Sequence, residues 1–331
     1  MEGPDSGGGG LRDPQGRVLG YLRLGVTDRC DLRCAYCNVE GARREATDEL
    51  SLGDLATIGV AFGRRLGFRK VRLTGGEPLL RADLPEVVRR MCGEAGFARV
   101  ALTTNGRLLA RCVRDLVAAG VDRINVSLDT LCAGSFQEIR GADAFADVTA
   151  GIDAALDAGL PRVKVNVVLL RSHGFREFES FLSWGAGRPL DVRFIELMPI
   201  DGLADFHRRE AVSSAPLVER VRELGFVPAA GAGDGGPAAI WERPGDPMRV
   251  GFVAPITRPF CDRCNRLRVT PRGALKLCLF GRGHVDLRPL LPAGPGAVAE
   301  AVHRAVALRE EGLRPVGGSI EGATGMRGIG G

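Results

Sequence analysis

Three closely spaced cysteines near the start of the chain are the first residues that could do chemistry. Cys30, Cys34 and Cys37 form a C-x3-C-x2-C pattern within the stretch "TDRCDLRCAYCN". Grouped thiolates are typical ligands of zinc or of an iron–sulfur cluster, and a structural zinc site takes four protein ligands. The nearest histidine in the sequence is His173, far along the chain. A metal site that lacks one protein ligand has an open coordination position, and a substrate can bind there.

A second group of cysteines lies near the other end of the chain. Cys261, Cys264 and Cys278 are spaced C-x2-C-x13-C, again with no fourth cysteine. One interpretation is a zinc site completed by His284 in the stretch "GRGHVD". The sharper interpretation is a second iron–sulfur cluster with an open position, whose iron could bind a nitrogen or oxygen atom of a heterocycle.

Two arginines follow the second C-x2-C pair. Arg266 and Arg268 are separated by Leu267, and alternate residues of a strand point to one face. Two guanidinium groups that converge on one target suit phosphate oxygens, whereas a solvated basic edge is the simpler alternative.

The composition restricts the class of protein. The chain has 331 residues and a net charge of +5, which suits an anionic small molecule and is too weak to indicate nucleic acid. It contains no apolar run of membrane-spanning length and no signal peptide, so we expect no membrane association and a cytoplasmic location. The clustered cysteines therefore indicate metal rather than disulfides. Cys92, Cys112 and Cys132 stand singly, and we interpret them as packing residues.

The segments that must position these groups alternate between strand and helix patterns. Strands are predicted at residues 21–26, 70–74, 99–104, 123–128, 162–170 and 191–197, with shorter ones at 239–242 and 249–253. Helices are predicted at residues 83–95, 108–119, 145–158 and 212–225. This alternation indicates about six βα units around a parallel sheet. Six units are too few for a closed eight-stranded barrel, so an open, incomplete barrel and a doubly wound sheet both remain possible.

The character of the chain changes along its length. Residues 1–16 are polar and Gly-rich and are predicted to be a disordered leader, and residues 17–200 hold the βα units. Residues 201–310 contain the second cysteine group, and residues 311–331 form a Gly-rich tail.

The first cysteine group and the strand ends resemble the radical S-adenosylmethionine (SAM) enzymes. The motif C-x3-C-x-[aromatic]-C after a first strand, with Tyr36 as the aromatic residue, carries the resemblance. The stretches "LTGGEPLL", "NVSLDT" and "IELMPI" follow in order on later strand ends. The resemblance implies a [4Fe–4S] cluster with three cysteine ligands, whose fourth iron is chelated by SAM. It also implies a 5′-deoxyadenosyl radical that abstracts a hydrogen from the substrate, and SAM contacts from Tyr36, Gly76, Ser127 and Met198.

The second cysteine group narrows the resemblance. The stretch "FCDRCNRLRVT" followed by "CLF", and the terminal Gly330-Gly331, are similar to the GTP 3′,8-cyclases of molybdenum cofactor biosynthesis. This family implies an incomplete (βα)6 TIM-like barrel with a smaller C-terminal extension that carries a second [4Fe–4S] cluster. It implies that the radical takes the ribose 3′ hydrogen of GTP and that C3′ then attacks C8 of the same guanine. The product is 3′,8-cyclo-7,8-dihydro-GTP.

The resemblance to the cyclases also implies site residues and partners. The positions that match GTP contacts are Arg23, Arg72, Thr103, Lys164, Arg266, Leu267 and Arg268. Arg193 could face the pocket next to the SAM sulfonium and is a candidate catalytic residue. Gly330-Gly331, also candidate catalytic residues, match a tail that reaches the active site and is needed for the radical steps. The implied partners are a reductant protein of the flavodoxin or ferredoxin type and a downstream cyclic pyranopterin monophosphate synthase. A homodimer is also possible.

Two alternatives stay open from the sequence. Another two-cluster radical enzyme, such as a peptide maturase, would usually carry more cysteines in the C-terminal region than this chain does. A non-catalytic, zinc-stabilised binding module would bind zinc rather than iron, and would have no use for the Gly-Gly pair in "LTGGEP".

Overall fold

The structure is a computed structural model that describes residues 10–37, 48–199, 202–230, 236–280 and 284–309. The strands are β1 (Tyr21–Thr27), β2 (Lys70–Gly75), β3 (Arg99–Thr104), β4 (Arg123–Ser127), β5 (Val163–Leu169), β6 (Leu190–Glu196), β7 (Val227–Pro228), β8 (Ala239–Glu242), β9 (Arg249–Val253), β10 (Arg266–Val269), β11 (Ala274–Lys276) and β12 (Val285–Asp286). The α-helices are α1 (Leu52–Val60), α2 (Leu84–Cys92), α3 (Leu109–Ala119), α4 (Ala133–Arg140), α5 (Phe145–Asp157), α6 (Phe178–Gly185), α7 (Ala204–Glu210), α8 (Ala215–Glu223) and α9 (Pro295–Ala307).

All the strands of the described residues belong to one sheet. Its order is β12-β11-β10-β1-β2-β3-β4-β5-β6-β9-β8-β7. The run from β10 through β1–β6 to β9 is parallel, and the short strands at both ends are antiparallel. Strands β1 to β6 follow one another without the reversal of order that defines a doubly wound sheet.

The two faces of the sheet differ in chemistry because apolar and polar residues alternate along the strands. Leu22 and Leu24 of β1 are fully buried on the face covered by helices, together with their counterparts on every neighbouring strand. The other face is polar and carries Arg23, Arg72 and Lys164. One cavity is lined by residues of β1, β2, β4, β5, β6, β9 and β10. Strands far apart in the sheet reach the same cavity, so the sheet curls with its polar face inward.

Local signals explain how some of the helices begin and end. Ser51 caps α1: its side chain accepts a hydrogen bond from the backbone N–H of Asp54, and the Asp54 carboxylate accepts one from the backbone N–H of Ser51. Helix α3 ends at Gly120, whose φ of +117° is a left-handed conformation that favours glycine.

The predicted α/β alternation is confirmed. The six long strands and the two at 239–242 and 249–253 all form, and the helices predicted at 83–95, 108–119, 145–158 and 212–225 correspond to α2, α3, α5 and α8. Helices α1, α4, α6, α7 and α9 were not predicted. The sequence also did not indicate that β9 and β10, both beyond residue 200, extend the parallel sheet at its two ends.

The predicted disordered leader needs a correction at its C-terminal end. Residues 10–16 are packed against the body of the protein: Leu11 and Asp13 are buried, and Arg12 forms a bridge with Val18. The packing is held by long-range contacts to Arg309, which the local sequence does not reveal. Residues 1–9 and the Gly-rich tail at 311–331 lie outside the described residues. Within the part of the chain that is described, no helix is long and apolar enough to span a membrane.

Candidate active site

The first cysteine group lies in the loop that follows β1, and the Gly-Gly pair after β2 packs directly against this loop. The backbone N–H of Gly76 donates to the Thr27 carbonyl at 2.7 Å, and that of Glu77 donates to the Arg29 carbonyl at 2.7 Å. A Cβ atom on Gly76 would lie 2.1 Å from the Arg29 carbonyl oxygen, so only glycine fits. Gly76 was predicted to contact SAM, and its position beside the cysteine loop is compatible with that prediction.

The same loop is held on its other side by the end of α4. Arg33 N–H donates to the Arg140 carbonyl and Ala35 N–H to the Ile139 carbonyl, both at 2.9 Å. The buried Arg140 guanidinium donates to Cys34 Sγ at 3.4 Å. One of the three candidate ligand sulfurs therefore lies directly beside a buried cation.

A buried carboxylate completes this cluster. Asp129, at the end of β4, forms an ion pair with Arg140 at 2.9 Å and accepts a hydrogen bond from Tyr36 Oη at 2.7 Å. It also accepts from the backbone N–H of Val168 at 2.9 Å. Burial raises the pKa of Tyr36 well above its usual value, so its hydroxyl remains a donor. Tyr36 is therefore held in place within the cysteine loop.

Replacing Arg140 by glutamine tests this cluster. We expect the ligand-free chain to lose about 3–5 kcal/mol of unfolding free energy, because the fully buried Asp129 carboxylate loses its cation. Urea unfolding measures the loss. Arg99→Gln is the matched control: it breaks the exposed Arg99–Asp122 pair and should cost about 1 kcal/mol or less. Equal effects for the two variants would contradict a structural role for Arg140.

Two further buried carboxylates hold loops at the ends of strands. Burial raises the pKa of Glu77 to about 7, and its oxygens accept from Thr104 Oγ1 at 2.7 Å and from Asn105 N–H at 2.6 Å. Glu196, at the end of β6, accepts from both the backbone N–H and the hydroxyl of Ser214 and of Thr257. These contacts fix the loops around the cavity. Neither Glu77 nor Glu196 was predicted from the sequence to hold these loops.

The second cysteine group is built on a tight turn before β10. Cys264 N–H donates to the Cys261 carbonyl at 3.2 Å, and Cys278 follows β11. Burial alone would raise the pKa of the Cys264 thiol, but Arg266, a backbone hydrogen bond and Arg309 outweigh it and lower the pKa. Cys278 and Met198 both pack against Phe280.

The donor chemistry of both groups suits an iron–sulfur cluster. Each group supplies three thiols with a cation beside one sulfur. Across the described ranges, no three side chains of His, Cys, Asp or Glu converge to hold a metal ion as they stand.

The polar residues between the two cysteine groups form rows across the strands. Tyr21 pairs in register with Arg266 and with Lys70, and Arg23 pairs with Arg268. The first cysteine group follows the C-terminal end of β1, and the second precedes the parallel β10. The groups therefore lie at opposite ends of the strands, and the rows of cations run between them.

The cations of this cavity repel one another. Burial and the neighbouring Arg268 lower the pKa of Arg23 to about 9, and burial and Arg266 lower that of Arg268 to about 10. The Nε atoms of Arg266 and Arg268 are buried and have no hydrogen-bond partner among the described residues. These two buried Nε donors, together with several positive charges close to one another, make the cavity suited to bind a polyanion.

Most of the predicted substrate residues come together in this cavity. The predicted residues that line it are Arg23, Arg72, Lys164, Arg193, Met198, Cys261, Cys264, Arg266, Arg268 and Cys278. Thr103 lies behind Arg72 and accepts a hydrogen bond from its Nη1 at 3.1 Å. Ser127 ends β4 on the polar face. Gly330-Gly331 lie outside the described residues.

Leu267 differs from the prediction. Its side chain is fully buried in the hydrophobic core, in register with Leu22. Strand alternation points it away from the cavity that Arg266 and Arg268 face, so its side chain is not a substrate contact.

Several residues that line the cavity were not predicted from the sequence, and Tyr21 is the most informative of them. Its hydroxyl accepts a hydrogen bond from Arg72 Nε, and Lys70 Nζ lies 4.8 Å from its ring centre. Burial alone would raise its pKa, but Arg72, Arg23 and Lys70 outweigh this and lower it to about 7. The alternation in "YLRLGV" already placed Tyr21 on the same face as Arg23.

An absorbance titration tests the charge of this cavity. The chain has two tyrosines, so the ligand-free protein should show one tyrosinate forming near pH 7, lost in Tyr21→Phe and kept in Tyr36→Phe. The folded state releases this proton at lower pH than the unfolded state, so Tyr21 adds stability that grows between pH 7 and 10. That growth should be absent in Tyr21→Phe. A single transition near pH 10 would contradict the arrangement.

Comparison with known proteins decides the family. The chain is 42% identical over 284 residues to a GTP 3′,8-cyclase of Cronobacter sakazakii, covering 85% of this chain and 86% of that protein. It is 40% identical to a GTP 3′,8-cyclase of Synechococcus elongatus, covering 91% and 93%. The chain belongs to the GTP 3′,8-cyclase family.

Models of two families match successive parts of this cyclase-family chain. The radical SAM superfamily matches residues 24–185, and the molybdenum cofactor synthesis C family matches residues 190–314. A solved structure of Streptococcus suis SuiB bound to S-adenosylmethionine has a similar fold, with a TM-score of 0.59 and 15% identity. That match covers 80% of this chain and 62% of SuiB. The chain is thus a radical SAM enzyme with an α/β fold built on a large sheet.

Proposed function

We propose that this protein converts GTP to (8S)-3′,8-cyclo-7,8-dihydroguanosine 5′-triphosphate, the first step of molybdenum cofactor biosynthesis. The observation that carries the proposal is the cationic cavity between two three-cysteine groups at opposite ends of parallel strands. A nucleoside triphosphate has a partner for each part of the cavity. Its phosphate oxygens would bind the arginines, and its heterocycle would bind at the second cysteine group.

The first cysteine group would hold one [4Fe–4S] cluster together with SAM. Cys30, Cys34 and Cys37 would supply the sulfur ligands, and Arg140 donates a hydrogen bond to Cys34 Sγ. When bound, the cluster and SAM supply one-electron chemistry that removes a hydrogen atom from the substrate. Tyr36, Gly76, Ser127 and Met198 are the proposed SAM contacts, of which Tyr36 is already oriented by Asp129.

The arginine rows would bind the triphosphate. Arg266 and Arg268 present buried Nε donors, and Arg23 and Arg72 lie in the same row as Arg268. Forked guanidinium groups bind phosphate oxygens with two parallel hydrogen bonds. Anionic oxygens would also relieve the mutual repulsion that lowers the pKa of Arg23 and Arg268. Lys164 and Arg193 line the cavity on the side of β5 and β6.

Positioning is the main task of the protein in this reaction. C3′ of the ribose and C8 of the guanine must be held in contact within one nucleotide, which converts an improbable encounter into a favourable one. Triphosphate contacts on one wall and a guanine anchor at Cys261, Cys264 and Cys278 would fix the two ends of the substrate. A second [4Fe–4S] cluster with an open iron is the proposed anchor, because these three thiols again lack a fourth protein ligand.

The finer architecture belongs to the same proposal. We infer an incomplete (βα)6 TIM-like barrel, which is supported by the unreversed order of β1 to β6 and by the curl of the sheet. We also infer a core at residues 17–200, a cluster-binding region at 201–310 and a tail at 311–331 that ends in the active site at Gly330-Gly331. The proposed location is the cytoplasm. The proposed partners are a flavodoxin- or ferredoxin-type reductant and the downstream cyclic pyranopterin monophosphate synthase, and the chain could form a homodimer.

Metal analysis and turnover under anaerobic conditions test the function. The purified, reconstituted protein should contain about eight irons per chain and no stoichiometric zinc. With GTP, SAM and a strong reductant, it should form 5′-deoxyadenosine and the cyclised nucleotide together. Stoichiometric zinc without iron would contradict the clusters, and unmodified GTP beside abundant 5′-deoxyadenosine would contradict the substrate.

A further inference from the structure

Asp13, Arg17 and Arg309 form a buried cluster of charged side chains next to the second cysteine group. The cluster connects the two ends of the described chain. Asp13, from the N-terminal segment, accepts from Arg17 Nε at 2.6 Å and from Arg309 Nη1 at 2.9 Å. Arg309 follows α9, so its position in the sequence is remote from both partners. The three residues are each nine-tenths or more buried, at 5%, 9% and 4% exposure.

The free ends of both guanidinium groups reach the C-x2-C turn. Arg17 Nη1 donates to the Cys261 carbonyl at 2.6 Å. Arg309 Nη1 donates to the Cys264 carbonyl at 3.4 Å, and its Nη2 approaches Cys264 Sγ at 3.8 Å and the Arg266 carbonyl at 3.4 Å. One arginine thus holds the first cysteine of the pair and the other arginine holds the second.

The charge balance of the cluster is informative. Two guanidinium groups share one carboxylate, which leaves an excess positive charge in a buried place, and burying charge is costly unless it is used. Apolar side chains could pack the same space at lower cost. The excess charge is directed at the sulfur of Cys264 and at the carbonyls beside it, which suggests that a negative group belongs there.

We propose that Asp13, Arg17 and Arg309 form a clamp that positions Cys261 and Cys264, and that Arg309 raises the reduction potential of the cluster held by the second cysteine group. The effect of Arg309 on the reduction potential rests on the proposed function, whereas the positioning of Cys261 and Cys264 does not. Hydrogen bonds to cluster sulfurs and nearby positive charge are among the factors that set the potential of an iron–sulfur cluster. Both stabilise the reduced, more negative form, so removing Arg309 makes the cluster harder to reduce.

Hydrogen exchange of the metal-free protein tests the positioning part. In Arg309→Gln, backbone amides of residues 260–266 should exchange faster than in the parent, while those of the first cysteine loop are unchanged. Arg304→Gln is the matched control, because Arg304 lies on the exposed face of α9 and pairs with Glu300. Unchanged exchange at 260–266 in Arg309→Gln would overturn the clamp, and it would do so whether or not the protein binds iron.

A redox titration tests the potential part. A background with Cys30, Cys34 and Cys37 replaced by alanine leaves the second group as the only cluster site, and electron paramagnetic resonance follows its reduction. Arg309→Gln should shift the midpoint potential to more negative values, Arg309→Lys should shift it less, and Arg304→Gln should leave it unchanged. An unchanged potential in Arg309→Gln at parental iron content would overturn the tuning role. If Arg309→Gln assembles no cluster, the midpoint potential of Arg309→Lys is the deciding measurement. A parental potential in Arg309→Lys would contradict a tuning role for the paired contacts that the Arg309 guanidinium makes with the Cys264 carbonyl and Sγ.

Iron content separates this inference from the proposed function. A background protein that binds no iron contradicts the proposed second cluster and removes the potential part with it. The hydrogen-exchange result still decides the clamp in that case.

Discussion

Alanine at Cys264 is expected to separate the two reactions of this protein. The variant should still cleave SAM to 5′-deoxyadenosine, because Cys30, Cys34 and Cys37 lie at the opposite end of the strands and Cys34 keeps its contact with Arg140. Formation of the cyclised nucleotide should fall by at least ~10²-fold, because the guanine end of the substrate loses the proposed anchor and the reacting atoms are then no longer aligned.

Iron analysis and quantification of both products measure this separation. The variant should retain about four irons per chain, half of the parental content. Cys132→Ala is the matched control, because Cys132 belongs to neither group. The interpretation of Cys132 as a packing residue is wrong, since its side chain is exposed just before α4, and the variant should behave as the parent in both assays. Loss of both clusters in Cys264→Ala would show instead that the second group maintains the fold as a whole.

Replacing Arg268 by methionine is expected to change substrate affinity and stability in opposite directions. GTP affinity should fall by roughly 30-fold or more, because a buried phosphate contact is worth about 2 kcal/mol or more when one partner is removed. The ligand-free protein should become more stable, because methionine removes a buried cation that Arg266 and Arg23 repel.

Calorimetric titration with GTP and thermal unfolding of the ligand-free chain measure the two effects. Arg65→Met, at an exposed position outside the cavity, should alter neither quantity appreciably. Salt provides a second check, since the difference in affinity between Arg268→Met and the parent should shrink as ionic strength rises. A destabilised variant with unchanged affinity would mean that Arg268 serves the fold and not the substrate.

The sequence predicted the fold well where the information is local. The alternation of "YLRLGV" and the βα periodicity located the six parallel strands β1 to β6 to within two residues, because one face of the sheet is apolar and the other is not. The same alternation correctly placed Arg266 and Arg268 on the cavity side. It should also have excluded the side chain of Leu267, since a residue between two inward-facing neighbours faces the core.

The contacts that organise the site depend on residues far apart in the chain, and sequence patterns do not reveal them. Arg140 reaches Cys34 across 106 positions, and Arg309 reaches Asp13 across 296. The polar, Gly-rich start of the chain gave no indication that Asp13 would be buried. The local sequence does not distinguish Tyr21 from other strand residues. The cations beside it belong to neighbouring strands and are brought there by its register with Lys70 and Arg266.

Isotope transfer from labelled substrate tests the central claim most directly. GTP that carries deuterium at C3′ is incubated anaerobically with the reconstituted protein, SAM and a reductant, and the 5′-deoxyadenosine is analysed by mass spectrometry. We predict that the 5′-deoxyadenosine gains one deuterium in step with formation of the cyclised nucleotide. Unlabelled 5′-deoxyadenosine, with GTP recovered unchanged, would contradict the account of a cavity that presents C3′ of GTP to the first cluster.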